Sequence, residues 1–312
     1  MQKVIVTGAN AFIGSALLQE LSMAGLYIIA VVRGMNSNIN KIKDIANVRI
    51  VYCDLDKIAE LPNIVQDRDI DYCIHLAWKG SFGNERADYD LQLQNVKLAV
   101  DIIHVIAKMG IKRFIGAGTL AEKDVLNYHP TDGAVPNAVS NYGIAKITTH
   151  FMTKVECTKL GIEHIWCYIS NTYGIGNTTG NFINFAILKM LKGERAAFTT
   201  GEQMYDFVYI SDTAKGIMLA ALKGKSNTAY YIGSTEAKPL KTYIKTIRDS
   251  IDKNIPLFLG EIPFNGIALL PEAYDCKKLV EDTGYAPKVT FEAGIITTIE
   301  WVKNNLLLEE GD

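Results

Sequence analysis

The chain has 312 residues, 48% of them hydrophobic, and a formal net charge of −2. That is enough apolar material for one large core or two closely fused ones, and neither a basic excess points to nucleic acid nor an acidic block to a disordered tail. The apolar stretch 26–32 is too short to span a bilayer and the N-terminus has no signal-peptide layout, so the expectation is a cytoplasmic protein without a membrane partner.

Short apolar runs alternate with helix-period segments along the first half. Strands are expected over 3–6, 27–32, 49–52, 71–76, 112–115 and 164–169, and helices over 12–24, 90–109 and 141–160. Such alternation implies right-handed crossovers and a parallel sheet covered on both faces. After about residue 171 the rhythm changes. Gly, Asn and Thr crowd 171–184, which reads as a long functional loop. A helix is expected over 185–192, a strand over 206–210, a helix over 212–222, and a strand over 230–233 that returns to the sheet edge. Helices over 240–251, 275–282 and 291–305 complete a smaller α/β lobe packed over one end of the sheet. The expected division is 1–170 with 205–235 as one domain and 171–204 with 236–312 as the other, their interface being a natural place for a pocket.

Between the first strand and the first helix stands Thr7-Gly8-Ala9-Asn10-Ala11-Phe12-Ile13-Gly14. Gly8 allows a tight turn, Gly14 lets the helix pack close to the sheet, and the helix N-terminus points its partial positive charge at a pyrophosphate. Ala11 stands where a third glycine is usual. The strand-to-helix context makes this a dinucleotide turn, with Thr7, Gly8, Asn10, Ala11, Phe12, Ile13 and Gly14 as cofactor contacts. Arg33 ends the second strand, beside the adenosine ribose in a doubly wound sheet. It cannot accept from ribose hydroxyls but can pair with a 2′-phosphate, which favours NADP(H) over NAD(H). Asp54 and Leu55 follow the third strand. Asp54 can accept from the adenine amino group or cap the next segment.

Tyr142 and Lys146 lie four residues apart, on one face of the helix expected over 141–160. A cation beside a phenol lowers its pKa, and the pair can exchange a proton with a carbonyl or alcohol near neutral pH. The five cysteines, Cys53, Cys73, Cys157, Cys167 and Cys276, are scattered. They form no zinc-spaced cluster, so reduced buried thiols and no metal site are expected. His75 reads as structural, and His104 and His150 have no partner pattern.

With TGANAFIG at the start, His75-Leu76-Ala77, Asn95-Val96, YGIAK, Asn171-Thr172-Tyr173-Gly174, Asp206-Phe207-Val208-Tyr209 and Gly284-Tyr285-Ala286-Pro287, the chain resembles the extended short-chain dehydrogenase/reductases, in their sugar-nucleotide epimerase/dehydratase branch. The resemblance implies a Rossmann-type doubly wound parallel sheet with a smaller C-terminal α/β substrate lobe. It also implies a homodimer through the two long helices and a nucleotide-sugar-like substrate. It puts Leu76, Ala77 and Trp78 beside the cofactor, Thr119 beside Tyr142 and Lys146 as the third catalytic group, and Lys79, Asn171, Asn181 and Tyr205 on the substrate side.

Two departures from that family shape the functional expectation. Leu120-Ala121 stand where its 4,6-dehydratases carry an Asp-Glu pair, which speaks against dehydration, with Glu122 a weaker substitute. Tyr205 stands where an arginine usually clamps the substrate diphosphate, and 264–274 contain no basic residue. The leading expectation is an NADPH-dependent reductase of a 4-keto-sugar nucleotide. The alternatives are a nucleotide-sugar 4-epimerase with retained NAD, a reductase of a non-nucleotide carbonyl compound and a non-catalytic dinucleotide sensor.

Overall fold

The computed structural model describes residues 1–128, 133 and 135–307. The first half runs β1 (Lys3–Thr7), α1 (Phe12–Met23), β2 (Tyr27–Val32), β3 (Val48–Tyr52), α2 (Leu61–Ile64), β4 (Tyr72–His75), α3 (Tyr89–Lys108), β5 (Arg113–Thr119), α4 (Ala121–Tyr128), α5 (Ser140–Leu160) and β6 (Glu163–Ile169). The second half adds β7 (Asn171–Tyr173), α6 (Phe182–Leu191), β8 (Ala197–Phe198), β9 (Met204–Tyr205), β10 (Phe207–Tyr209), α7 (Ile210–Lys223) and β11 (Thr228–Ile232). It ends with β12 (Lys238–Pro239), α8 (Leu240–Ile251), β13 (Phe258–Leu259), α9 (Lys277–Thr283) and α10 (Phe291–Asn305).

Seven strands form one parallel sheet in the order β11-β6-β5-β4-β1-β2-β3. Alternate residues of a strand serve opposite faces. Val4, Val6, Ile28 and Ala30 pack with Leu17, Leu18 and Leu21 of α1 and Ile217 of α7. Ile5, Ile29, Val31 and Cys73 pack with Ile102, Ile103 and Ile106 of α3 and Cys157 of α5. Burial on both faces explains why these strands are apolar throughout. All five cysteines are free and buried. A separate core joins α6, α8 and α10 through Ile183, Ile187, Phe207, Tyr243, Phe291 and Ile295.

The expected and observed elements differ instructively around β5. That strand continues through Gly116 and Gly118 to Thr119, beyond the end expected at 115. Glycine weakens a strand by default, but here the indole of Trp166 on β6 occupies the missing side-chain space. A Cβ on Gly116 would stand 2.3 Å from that ring, and one on Gly118 2.2 Å from its Nε1. The helix α4 was not expected, because eight mostly polar residues carry too little apolar periodicity to read. Within the expected loop 171–184, β7 pairs in parallel with β10.

Asp206 ties β10 to the sheet edge. Its carboxylate is fully buried and accepts from the Tyr231 hydroxyl at 2.8 Å and from the Ser234 N–H at 3.1 Å. Its carbonyl accepts from the Ser170 hydroxyl at 2.7 Å. Gly233 must lack a side chain, since a Cβ there would lie 1.9 Å from Asp206 Oδ2. Asp206→Ala takes the acceptor from the Ser234 N–H and leaves the buried Tyr231 hydroxyl only Ser170 Oγ at 2.7 Å, and is expected to lower the unfolding free energy by about 1–3 kcal/mol. Urea denaturation checks this; a loss within about 0.5 kcal/mol, the range of ordinary surface changes, contradicts it.

Candidate active site

The sheet order reverses between β1 and β4, and a crevice opens at the carboxyl ends of those strands. Thr7 pairs in register with His75, and their side chains meet at 2.7 Å. Burial, followed by the charge of Lys146, pushes His75 down to about 3. It is therefore a neutral structural link. Gly8 has φ of 71°, and a Cβ on it would stand 2.8 Å from the Ala77 nitrogen. A Cβ on Gly14 would lie 2.1 Å from the Gly8 carbonyl oxygen. The two glycines thus bring strand end, turn and helix into backbone contact.

The cleft has a volume of about 760 Å³. All the residues expected on the dinucleotide side line it except Thr7, which is buried beneath it against His75. Ala11 caps α1 without any side-chain hydrogen bond. The first-turn N–H groups are thus left for an anion, and residues and geometry fit a pyrophosphate. Arg33 is exposed at the rim. Asp54 lines the cleft and also caps the turn after β3, accepting from the Asp56 N–H at 3.2 Å. Lys79 and Asn181, expected to touch substrate, line this cleft rather than the pocket beyond it. Lys79 lies 3.5 Å from Asp56, and Asn181 caps α6 by accepting from the Asn184 N–H at 2.9 Å.

The catalytic candidates meet at the inner end of the cleft. Lys146 donates to the Ala117 carbonyl at 2.8 Å, and its ammonium stands 3.7 Å over the Trp78 ring. Trp78 is itself held by Gln92, which accepts from the indole N–H at 2.9 Å and donates to the Gly80 and Glu85 carbonyls. Asn95 brackets Lys79, accepting from its N–H and donating to its carbonyl. Burial pushes Lys146 down to about 7, against the pull of Glu122. Tyr142 shows a different balance from the lowered phenol expected of its lysine neighbour. Burial raises its pKa, and the Thr119 hydrogen bond and the Arg86 charge pull it back. Lys146 lies 5.9 Å from the phenol ring centroid.

A second pocket of about 380 Å³ shares Thr119, Tyr142 and Asn171 with the cleft. Tyr205 lines it and stacks on Phe207 at 5.7 Å. Arg86 and Asp124 line it too, and neither is marked in the sequence. Arg86 sits in a polar 3-10 turn (Gly83–Ala87) with no periodicity to signal it, and Asp124 on the unexpected helix α4. Burial pushes Asp124 up to about 6.

Glu122 faces away from this pocket. It is 1% exposed, and accepts from the Thr119 N–H at 2.8 Å and from the Trp166 indole N–H at 3.2 Å. His150 stacks on Trp166 at 4.7 Å, 3.8 Å from the carboxylate. Glu122 thus anchors the Thr119 backbone to Trp166.

The model of the NAD dependent epimerase/dehydratase family matches residues 4–233. A putative UDP-glucose 4-epimerase of Methanocaldococcus jannaschii is 29% identical over 97% of this chain and 99% of its own length. A dTDP-4-dehydro-6-deoxyglucose reductase of Escherichia coli is 24% identical over 96% of this chain and 97% of its own. The Bordetella bronchiseptica enzyme WbmF, solved in complex with NAD+ and UDP, is similar in fold with a TM-score of 0.76 at 21% identity, covering 99% of this chain and 94% of that one.

Glu122→Gln keeps an oxygen for the Thr119 N–H but removes the charge that raises the Lys146 pKa. A pH limb set by Lys146 in kcat/KM should therefore move to lower pH. Glu122→Ala, which loses the anchor as well, should lower kcat by about tenfold or more, the scale of one lost hydrogen bond at 1.4 kcal/mol per decade. Unmoved profiles in both variants contradict the assignment.

Proposed function

The chain belongs to the NAD-dependent epimerase/dehydratase family, and from that premise we propose that it inverts C4 of a nucleotide-activated sugar, as an epimerase that retains its NAD. The observation that carries this reading is that Thr119 and Tyr142 stand where the cleft meets the second pocket, with Lys146 lining the cleft one helical turn from Tyr142. The dinucleotide, when bound, supplies reversible hydride acceptance. Tyr142 takes the proton from the sugar hydroxyl and gives it back, and Thr119 shares that proton through its hydrogen bond to the phenol. Lys146, fixed by the Ala117 carbonyl and the Trp78 ring, holds the positive field behind the phenol. The domain of 1–170 with 205–235 holds the dinucleotide, and the lobe of 171–204 with 236–312 takes the nucleotide of the substrate.

Leu120 and Ala121 offer no proton donor for eliminating water, and Glu122 is committed to Thr119 and Trp166. Both facts support epimerisation over dehydration. The 29% identical epimerase, matched over nearly its whole length, supports it over net reduction. Arg33 at the cleft rim favours a second reading, an NADP(H)-dependent 4-ketoreductase, and the 24% identical reductase supports the same alternative.

The purified protein should release NAD on denaturation and interconvert UDP- or dTDP-linked C4 epimers with no net change in nicotinamide absorbance. Stoichiometric consumption of NADPH by a 4-keto sugar nucleotide would move the assignment to the reductase, and loss of one water from the product would move it to a dehydratase. Tyr142→Phe should lower kcat by about 10²-fold or more, the usual contribution of a positioned proton donor, while NAD still raises the melting midpoint. Full activity in this variant removes the phenol from the mechanism.

A homodimer is proposed through α3 and α5, which leave Leu93, Ile144, Phe151, Met152 and Val155 exposed. The α5 members recur at helical spacing and form an apolar stripe of the kind that marks an interface. Size-exclusion chromatography with light scattering should find a dimer and find Phe151→Glu monomeric. A wild-type monomer contradicts this surface.

A further inference from the structure

Arg86 is the one lysine or arginine among the described residues that line the second pocket, and Asp124 the one carboxylate. The turn that carries Arg86, Gly83–Ala87, is pinned at two points. Its Glu85 carbonyl accepts from the Gln92 amide at 3.0 Å, and its Ala87 carbonyl accepts from the amide of Asn141, the neighbour of Tyr142 on α5, at 2.9 Å. The turn is thus tied to the helix that carries the phenol. The guanidinium carbon stands 4.7 Å over the centroid of the Tyr142 ring, against 5.9 Å for the Lys146 ammonium. The Arg86 Nε is buried with no hydrogen-bond partner, the one such side-chain atom among the described residues. A cation out of water and unpaired at that atom keeps its field for its neighbours, and an electron-rich ring face is the neighbour it has here.

Resting on the reading of Tyr142 as the group that takes the sugar's proton, we propose that Arg86 is a positioning residue for that step: its guanidinium, held over the ring, stabilises the phenolate as a second cation beside Lys146. The physical reason is what ionisation does to the ring. A neutral phenol offers the cation only its quadrupole, whereas a phenolate offers a full negative charge, so the guanidinium favours the ionised form. Lys146 serves this end less steadily. It is committed to the Ala117 carbonyl and the Trp78 ring, and burial pushes it down to about 7, so near neutral pH it is charged in part of the molecules. An arginine stays charged throughout that range. The other groups around the phenol divide. Burial disfavours the phenolate most, the Thr119 hydroxyl at the end of β5 and the Arg86 charge favour it, and the Glu122 charge on α4 opposes it. Asp124, also on α4, is pushed up by burial and pulled back by the same Arg86, so it shares that guanidinium with Tyr142. His75, beneath the cleft, is neutral.

The test titrates Tyr142 in the NAD-loaded protein, as the tyrosinate absorbance of wild type minus that of Y142F, and repeats the subtraction with R86Q, R86M and R86K in both members of the pair. Circular dichroism follows the fold at each pH. Beside it runs the pH profile of kcat/KM for UDP-glucose and dTDP-glucose. R86Q should move the Tyr142 midpoint up by about one pH unit, the low end of what a cation within about 4–6 Å does, and the acid limb of kcat/KM should move up with it. Below both midpoints the phenolate fraction falls tenfold per unit, so R86Q should be about tenfold slower near neutral pH and should approach wild type at alkaline pH. R86K, which restores the charge, should recover most of the shift, and R86M carries the comparison if R86Q does not fold. A Tyr142 titration unmoved in R86Q overturns the assignment. So does a loss that is equal at every pH and lies in KM, which makes Arg86 a substrate contact instead. An equal shift in R86K and R86Q traces the effect to packing of the turn and overturns it as well. A moved titration with no epimer formed from either sugar supports Arg86 and counts against the C4 reading, and epimers formed with an unmoved titration do the reverse.

Discussion

The active-site end of the molecule depends on one close approach, that of Gly8 to the backbone of Leu76 and Ala77 at the point where the sheet changes direction. No side chain fits there: a Cβ would stand 2.8 Å from a backbone nitrogen, and the positive φ of 71° is strained for other residues. Gly14 closes the same knot from the helix side. The contact aims the uncapped N-terminus of α1 into the crevice and fixes where β4 ends. The segment after β4 inherits that placement. Ala77 leads to Trp78, Gln92 and Asn95 pin the segment to α3, and the indole becomes the floor on which the Lys146 ammonium rests. A strand-to-helix turn thus governs a lysine far away in sequence.

The charges gathered beyond that floor are few and buried. Lys146 and Glu122 are 4% and 1% exposed. Burial acts on Lys146 and Tyr142 in the direction that removes charge, lowering the lysine and raising the phenol. Glu122 opposes the first shift and reinforces the second. Its hydrogen bonds to Thr119 and Trp166 make the same carboxylate a structural member of the strand end. Trp166 in turn fills the space that Gly116 and Gly118 leave open. Sheet packing and site electrostatics therefore share one set of atoms, and a change in either is felt in the other.

The second pocket has a different origin. It lies where the end of β5, the helix α4 and the turn of Arg86 meet Tyr205 and the segment before α9. Asp206 holds the sheet edge to this region from within, by accepting from Tyr231 and Ser234. The residues that line this pocket thus come largely from connections and short elements, while the glycine turn and Lys146 of the larger cleft stand on long strands and helices. That division matches a scaffold whose chemistry is common to many proteins and whose recognition is local to one.

Several features are legible in the residue order because they are local in the chain. The glycine turn reads as one since its strand, turn and helix are contiguous. Tyr142 and Lys146 read as a pair because a helix places residues four apart on one face, and alternating apolar segments are enough to specify a doubly wound sheet. Other features are invisible there for equally physical reasons. The continuation of β5 through two glycines depends on a tryptophan from the neighbouring strand. Glu122 beside Thr119 looks like a candidate acid until the fold turns it toward Trp166 and His150. Arg86 carries no pattern at all. Residue order alone thus encodes backbone geometry and helical or strand period within a segment. The direction in which each polar side chain faces comes only with the folded chain, because it depends on partners distant in sequence that packing brings together.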